Sequence, residues 1–264
     1  MAAAQGASVR GLSISPAINF ETVSAGSPKT ADLTVTNYTN NLLNVSLSVE
    51  QFTVNSFSYS YNFIQPVNNW INLGASQFSL QPSAHQVVPY SINVPVGSPP
   101  GGNYYTFVAS ASLAGSSIRS TIQAASVLYM TVNGRLTYTS RLLGATIQRV
   151  MFGTQLTYSF NVINTGNVYY FIYVTGQLHG PTAKPATTPF THLIIPSKAR
   201  HFSGTIQHPL LPGIYRASYG YSTGNGASVA RSSLILYIPP WSIALVLVIL
   251  LIANIWYIRR KRAK

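Results

Sequence analysis

Glu21, Asp32 and Glu50 are the only acids in this chain of 264 residues, and all three fall in its first fifth. Glycoside hydrolysis generally needs two carboxylates set across one bond. These three fall in, or at the edge of, segments that read as strands. Asp32 takes the outward parity of its segment, where a solvated carboxylate is the default. They read as solvated side chains and not as a catalytic pair. The five histidines are His85, His179, His192, His201 and His208. The last three are spaced by nine and seven residues. That matches no compact metal signature, and no Cys or acid stands in that half to complete a ligand set. Gly220-Tyr221-Ser222-Thr223-Gly224 matches Gly-x-Ser-x-Gly by spacing, but no helix pattern follows it before residue 240, as a nucleophile elbow requires, and no phosphate-binding Gly loop opens a helix. The expectation is a protein that binds and does not catalyse, with no cofactor and no metal.

Binding chemistry is better represented. The chain holds 17 tyrosines, concentrated in SFSYSYNF (56–63) and NVYYFIYV (167–174). The stretch from Ser56 to Trp70 reads as lying between strands. Its Tyr59, Tyr61 and Trp70 are candidate recognition residues, because exposed aromatic rings stack on sugars and anchor protein contacts. Charge is divided unevenly. Residues 1–134 balance three cations against the three acids, whereas residues 135–238 hold eight cations and no acid. Lys184, Lys198 and Arg200 stand together in PTAKPATTPFTHLIIPSKAR (181–200), which reads largely as surface loop. A basic segment outside a cell favours anionic partners such as wall polymer or lipid headgroups. Nucleic acid is not an expected partner of an external domain.

Strands must position these residues. VTNYTN (35–40) and VINTGN (162–167) each lie between segments of period-2 apolar alternation, so each reads as strand, Asn turn, strand. PGGNYYTFVAS (100–110) is echoed by PGIYRASYGY (212–221), where Pro-Gly turns into a Tyr-led strand. The same order in both halves implies two successive domains of one design. With zero Cys there is no disulfide framework. The fold class expected is all-β: two tandem Ig-like β-sandwich domains followed by one C-terminal transmembrane helix.

Trp241 to Ile258 carry no charge, and 18 residues span about 27 Å as a helix, close to the bilayer hydrocarbon. Pro239 and Pro240 suit a helix start, and Trp241, Trp256 and Tyr257 suit the two interfacial belts. RRKRAK follows at once and reads as cytoplasmic by the positive-inside rule, which places residues 1–238 outside. MAAAQGAS (1–8) has no cationic or apolar leader, so the chain reads as a mature form with an added initiator Met. Asn37 and Asn44 each open a glycosylation sequon. The organisation expected is an N-terminal extension (1–11), a first sandwich (12–133), a second, basic sandwich (134–238), a transmembrane helix (239–258) and a basic tail (259–264).

ISPAINFETVSAGSPKTADLTVTNYTNNLLNVSLSVEQF, followed by WINLGASQFSLQPSAHQVVPYSINVPVGSPPGGNYYTFVAS, resembles the WxL-interacting cell-surface proteins of Gram-positive bacteria. The likeness lies in the Pro-containing first strand, the Gly-Ser turn, the strand ending in Thr-Asn and the later Pro-Gly-Gly-x-Tyr. It covers about residues 12–130, and the remainder only by architecture. The resemblance implies a peptidoglycan-binding first domain, a second β domain and a membrane helix. It also implies partners among wall glycan or anionic wall polymer and exported WxL-type surface proteins. The functional expectation is an adhesion or scaffold protein at the membrane. The alternative is an Ig-like assembly or chaperone subunit that offers a strand edge to an exported protein.

Overall fold

A computed structural model describes residues 11–113, 121–180, 182–183, 190–224 and 226–262. The chain divides into two compact units. The first holds residues up to Tyr138 together with Gly166–Tyr169, and the second holds Thr139–Thr165 and everything from Tyr170 onward.

The first unit contains β1 (Leu12–Ser15), β2 (Ile18–Val23), β3 (Lys29–Asn37), β4 (Leu43–Val54) and β5 (Tyr61–Ile64). It continues with β6 (Ile71–Leu73), β7 (Gln77–Leu80), β8 (His85–Ile92), β9 (Gly101–Leu113) and β10 (Thr121–Val132). One sheet runs β1-β3-β8-β6; the other runs β2-β10-β9-β4-β5, with β7 also paired to β4. Period-2 alternation puts Leu33, Val35, Val88 and Tyr90 of the first sheet and Leu43, Val45, Phe107 and Leu128 of the second into one buried core.

The second unit repeats this plan with β11 (Ser140–Ile147), β12 (Val150–Met151), β13 (Gln155–Asn164), β14 (Tyr170–His179) and β15 (Phe190–Ile194). β16 (Ala199–Gln207), β17 (Gly213–Thr223) and β18 (Ser228–Tyr237) complete it, before the helix α1 (Pro240–Arg262). Its sheets run β11-β13-β16 and β12-β18-β17-β14-β15. Phe160 of β13 meets Tyr221 of β17 at 6.0 Å between ring centroids, which closes the second sandwich. The expected architecture of two tandem β-sandwiches and one apolar C-terminal helix is what the structure shows.

The two strand orders superimpose term by term once β6 and β7 are set aside. In each unit the first strand is split: its first part pairs with one sheet, and its second part crosses to run parallel to the last strand. The Asn turns occupy the same corner. Asn37 ends β3 and Asn164 ends β13, and both are fully buried. The Asn37 Nδ2 donates to the carbonyls of Asn41, Leu80 and Gln81 at 2.8, 3.1 and 3.0 Å, while Oδ1 accepts from the Thr39 N–H at 2.8 Å. The Asn164 Nδ2 donates to the Ile194 carbonyl at 3.1 Å. A few residues beyond these carbonyls, Ser83 and Ser197 both take a φ of 60°. Gly101 and Gly213 each open the strand after Pro-Gly with φ of +143° and +157°, a region open to glycine and strained for other residues.

One reading of the sequence is corrected here. The segment expected to be surface loop contains β15 and the start of β16. Pro196 follows β15 closely, and β15 is the edge strand of its sheet, where proline is tolerated.

Asn37 is buried with its amide fully engaged, so Asn37→Ala leaves the buried Leu80 carbonyl unpaired and removes the bonds to the part-buried carbonyls of Asn41 and Gln81. Urea unfolding should show the first unit destabilised by about 3 kcal/mol, with Asn44→Ala, on the exposed face of β4, changing it by under about 0.5 kcal/mol.

Candidate functional site

One aromatic ring per strand crosses the outer face of the six-stranded sheet of the first unit. The register pairs Phe20 of β2 with Tyr129 of β10, Tyr129 with Tyr104 of β9, and Phe52 of β4 with Phe63 of β5. Phe52 and Tyr104 close the row at 5.8 Å between centroids. These residues have the parity opposite to the core, because their neighbours Tyr105, Leu128 and Met130 point inward. Cross-strand aromatic pairs of this kind contribute a few tenths to about 1 kcal/mol each.

The row is covered in its middle and open at its ends. Tyr61 meets Phe52 edge-on at 5.1 Å, and its hydroxyl reaches that of Tyr129 at 3.2 Å. Tyr169 packs on Tyr129 at 5.3 Å and on Phe20 at 5.6 Å. Phe52 and Tyr129 are therefore buried, whereas Phe20 is 48% exposed and Phe63 is 47% exposed. Burial is the main cause that raises the Tyr104 phenol far above its ordinary range. The neighbouring phenols of Tyr59, Tyr169 and Tyr129 add to the rise, and the backbone of Tyr169 partly offsets it.

Strain marks the hairpin between β4 and β5. Phe57 and Tyr59 take φ of 71° and 59°, in the left-handed region. Bulky residues there cost on the order of 1–3 kcal/mol each. The turn is held by the Asn55 N–H on the Ser60 carbonyl and the Tyr59 N–H on the Asn55 carbonyl, both at 3.0 Å. The strained backbone presents Phe57, which is 53% exposed, in the turn that leads into Tyr61 and Phe63.

The structure sorts the sequence candidates as follows. Tyr61 joins the aromatic row, and Tyr59 lies near enough to help raise the Tyr104 phenol. The stretch that contains them is not wholly between strands, since Tyr61–Ile64 is β5. Trp70 packs partly buried against the hydrophobic core instead. Lys198 gives its backbone carbonyl to the Asn164 N–H at 3.3 Å. Arg200 lies in β16, donates from Nη1 to the Leu193 carbonyl at 2.6 Å and sits 5.8 Å from the Phe202 ring. Lys184 lies outside the described residues. Glu21 is ion-paired with Lys29 at 2.6 Å, and Asp32 is exposed. Among the described residues, no group of three or more His, Cys, Asp or Glu side chains could hold a metal ion. Sequence reasoning missed Phe20, Phe52, Tyr104 and Tyr129. Their signal was an aromatic on the outward parity of four separate strands.

No family model matches the sequence, and no curated protein matches it. Solved structures with similar folds include the class 5 fimbriae chaperone CfaA, at 10% identity and TM-score 0.45 over 86% of this chain and 100% of that one. The CsuC-CsuE chaperone–tip adhesion subunit pre-assembly complex from the Csu pili of Acinetobacter baumannii matches at 11% identity and TM-score 0.43 over 85% and 98%. The E. coli chaperone DraB matches at 12% identity and TM-score 0.39 over 84% and 96%. Likeness at these scores transfers no function, so the site must be argued from its own residues.

Arg200 has a local electrostatic consequence that can be measured. Burial, and then the Arg200 guanidinium, hold the His192 imidazole below its ordinary value. The folded state therefore favours neutral His192. Its contribution to stability is full above the unfolded value and is lost as pH falls through the folded midpoint. Replacing Arg200 by Gln should raise the His192 midpoint part of the way back, leaving the share due to burial. Imidazole resonances followed by NMR across a pH titration will show it.

Proposed function

We propose that the protein is a membrane-anchored, non-catalytic recognition protein whose first unit receives an exported polypeptide along the outer edge of β5. One observation carries this reading. β5 ends its sheet, all four of its residues are exposed, and it reads Tyr-Asn-Phe-Ile with no Lys, Pro or bulge to guard it. An exposed apolar edge invites pairing with another chain, and proteins that do not use such an edge block it. An added strand would gain main-chain hydrogen bonds from β5 and lay alternate side chains against Tyr61 and Phe63. The strained hairpin and the buried ladder beneath hold those rings in place before the partner arrives, which reduces the ordering cost of binding. A WxL-type surface protein, the partner implied by the sequence resemblance, is the first candidate. Wall glycan is the competing ligand, and the experiment below separates the two.

α1 is long and apolar enough to cross a membrane. Its last turn carries Arg259, Arg260, Lys261 and Arg262. In this proposal that end is cytoplasmic, and both sandwiches face outward from the cell membrane. The recognition edge is then held where exported chains emerge.

Two outcomes follow. A photo-crosslinker at Asn62 of the full-length chain should trap one exported protein without added sacculi. Phe63→Asp should weaken that capture by at least about tenfold, or ~1.4 kcal/mol. Capture that appears only with sacculi would move the assignment to wall polymer. Protease added to cells with opened walls should digest both sandwiches and leave a tag at the basic C-terminal end intact. A digested tag would reverse the orientation.

A further inference from the structure

The outer face of the five-stranded sheet in the second unit changes character along its length. From the α1 end outward, the register pairs Ile214 with Leu236, Arg216 with Leu234, Ser218 with Ser232, Gly220 with Ala230, and Ser222 with Ser228. On β17 and β18 the first two rows are aliphatic and basic, and the remaining three hold only Ser, Gly and Ala. β12 extends the first row, since Val150 pairs with Leu236. Ile214 is 71% exposed and Leu234 is 64% exposed. Phe152 and Leu211 add further exposed apolar surface at the same end. Single exposed apolar residues are ordinary, but a contiguous patch marks an interaction surface, and this one is aliphatic and basic, whereas the far end of the face carries Phe171 and Tyr173 of β14 and no cation.

We infer that this patch lies on the surface of the same bilayer that α1 crosses, as a peripheral lipid-binding face of the second unit. Chain continuity identifies the occupant. Leu236 is four residues before Pro240, where α1 begins, so the near edge of the patch lies within about 14 Å of extended chain from the helix start. Charge agrees. Arg149 and Arg216 are exposed at the patch, and the acids of the chain all lie in its first fifth. Aliphatic side chains sink into the boundary between headgroups and acyl chains while arginines reach the phosphates. Cations near an anionic leaflet add to the attraction. The polar rows beyond Ser218 and Ser232 then rise clear of the membrane. This inference rests on α1 spanning the bilayer and is independent of what β5 binds.

The chain has no Cys, so single labels can be placed without background. Four full-length variants, Ile214→Cys, Leu234→Cys, Ser222→Cys and Val248→Cys, are each labelled with an environment-sensitive fluorophore. Each is then reconstituted in phosphatidylcholine vesicles with or without phosphatidylglycerol. Lipids carrying a shallow quencher should remove most of the emission at positions 214 and 234 and little at 222. Deep quenching at 248 reports the spanning helix separately. Arg149→Gln with Arg216→Gln should reduce the quenching at 214 and 234 in phosphatidylglycerol vesicles. Positions 214 and 234 no more quenched than 222, with 248 quenched, would overturn the inference while leaving the anchor intact. Disulfide-linked dimers of the unlabelled Ile214→Cys variant in the vesicles would also overturn it, because they would assign the patch to a second copy of the chain.

Discussion

Each sandwich depends on one buried amide at a strand end. A chain that leaves one sheet and turns toward the other must break its ladder, and the carbonyls of Leu80 and Ile194 at these corners are buried. Asn37 meets this constraint by donating to three carbonyls from one nitrogen while its oxygen holds the turn through Thr39. Asn164 occupies the same corner of the second unit and engages Ile194. Asn is the economical residue here, because it is short and offers donors and acceptors together. With the corner satisfied, the next strand can pair in a different sheet, and two sheets can share a core.

On this repeated frame the two units have diverged at matching positions. Counted from Gly101 and Gly213, the row occupied by Tyr104 and Tyr129 in the first unit is occupied by Arg216 and Leu234 in the second. The first pair is buried within a ladder of rings, and the second pair is open to its surroundings. The same sheet face thus carries a packed aromatic ladder in one unit and exposed aliphatic and basic side chains in the other. Both units keep the Asn that the backbone requires at this corner, Asn37 and Asn164, while their outer side chains differ.

The alternation around VTNYTN and VINTGN was enough to find β3, β4, β13 and β14, because period 2 is a local property of a half-buried strand. The apolar run from Trp241 was equally legible. The aromatic ladder was not. Phe20, Phe52, Tyr104 and Tyr129 come together through pairings between strands as much as about 100 residues apart, and register is not written in any one segment. Phe52 also lies on β4 after the inward parity of Leu43, Val45 and Leu47 has given way to buried residues on the opposite face. The prolines around β15 misled in another way: they signal loop in most contexts but are permitted beside an edge strand. Tyr61 was visible as an exposed aromatic, while its role as a cover over Phe52 required the fold.

The split first strand has a mechanical consequence. In the first unit β2 runs parallel to β10 over six residue pairs, from Ile18 with Val127 to Val23 with Val132. A pull between the N-terminal side of β2 and the C-terminal side of β10 makes the two strands slide past each other, so their hydrogen bonds bear the load together instead of opening one at a time. In the second unit the corresponding contact, β12 with β18, spans only two pairs. Tension applied between the N-terminal side of β2 and the start of α1 would therefore yield first in the second sandwich. The first sandwich would remain folded while the second extends.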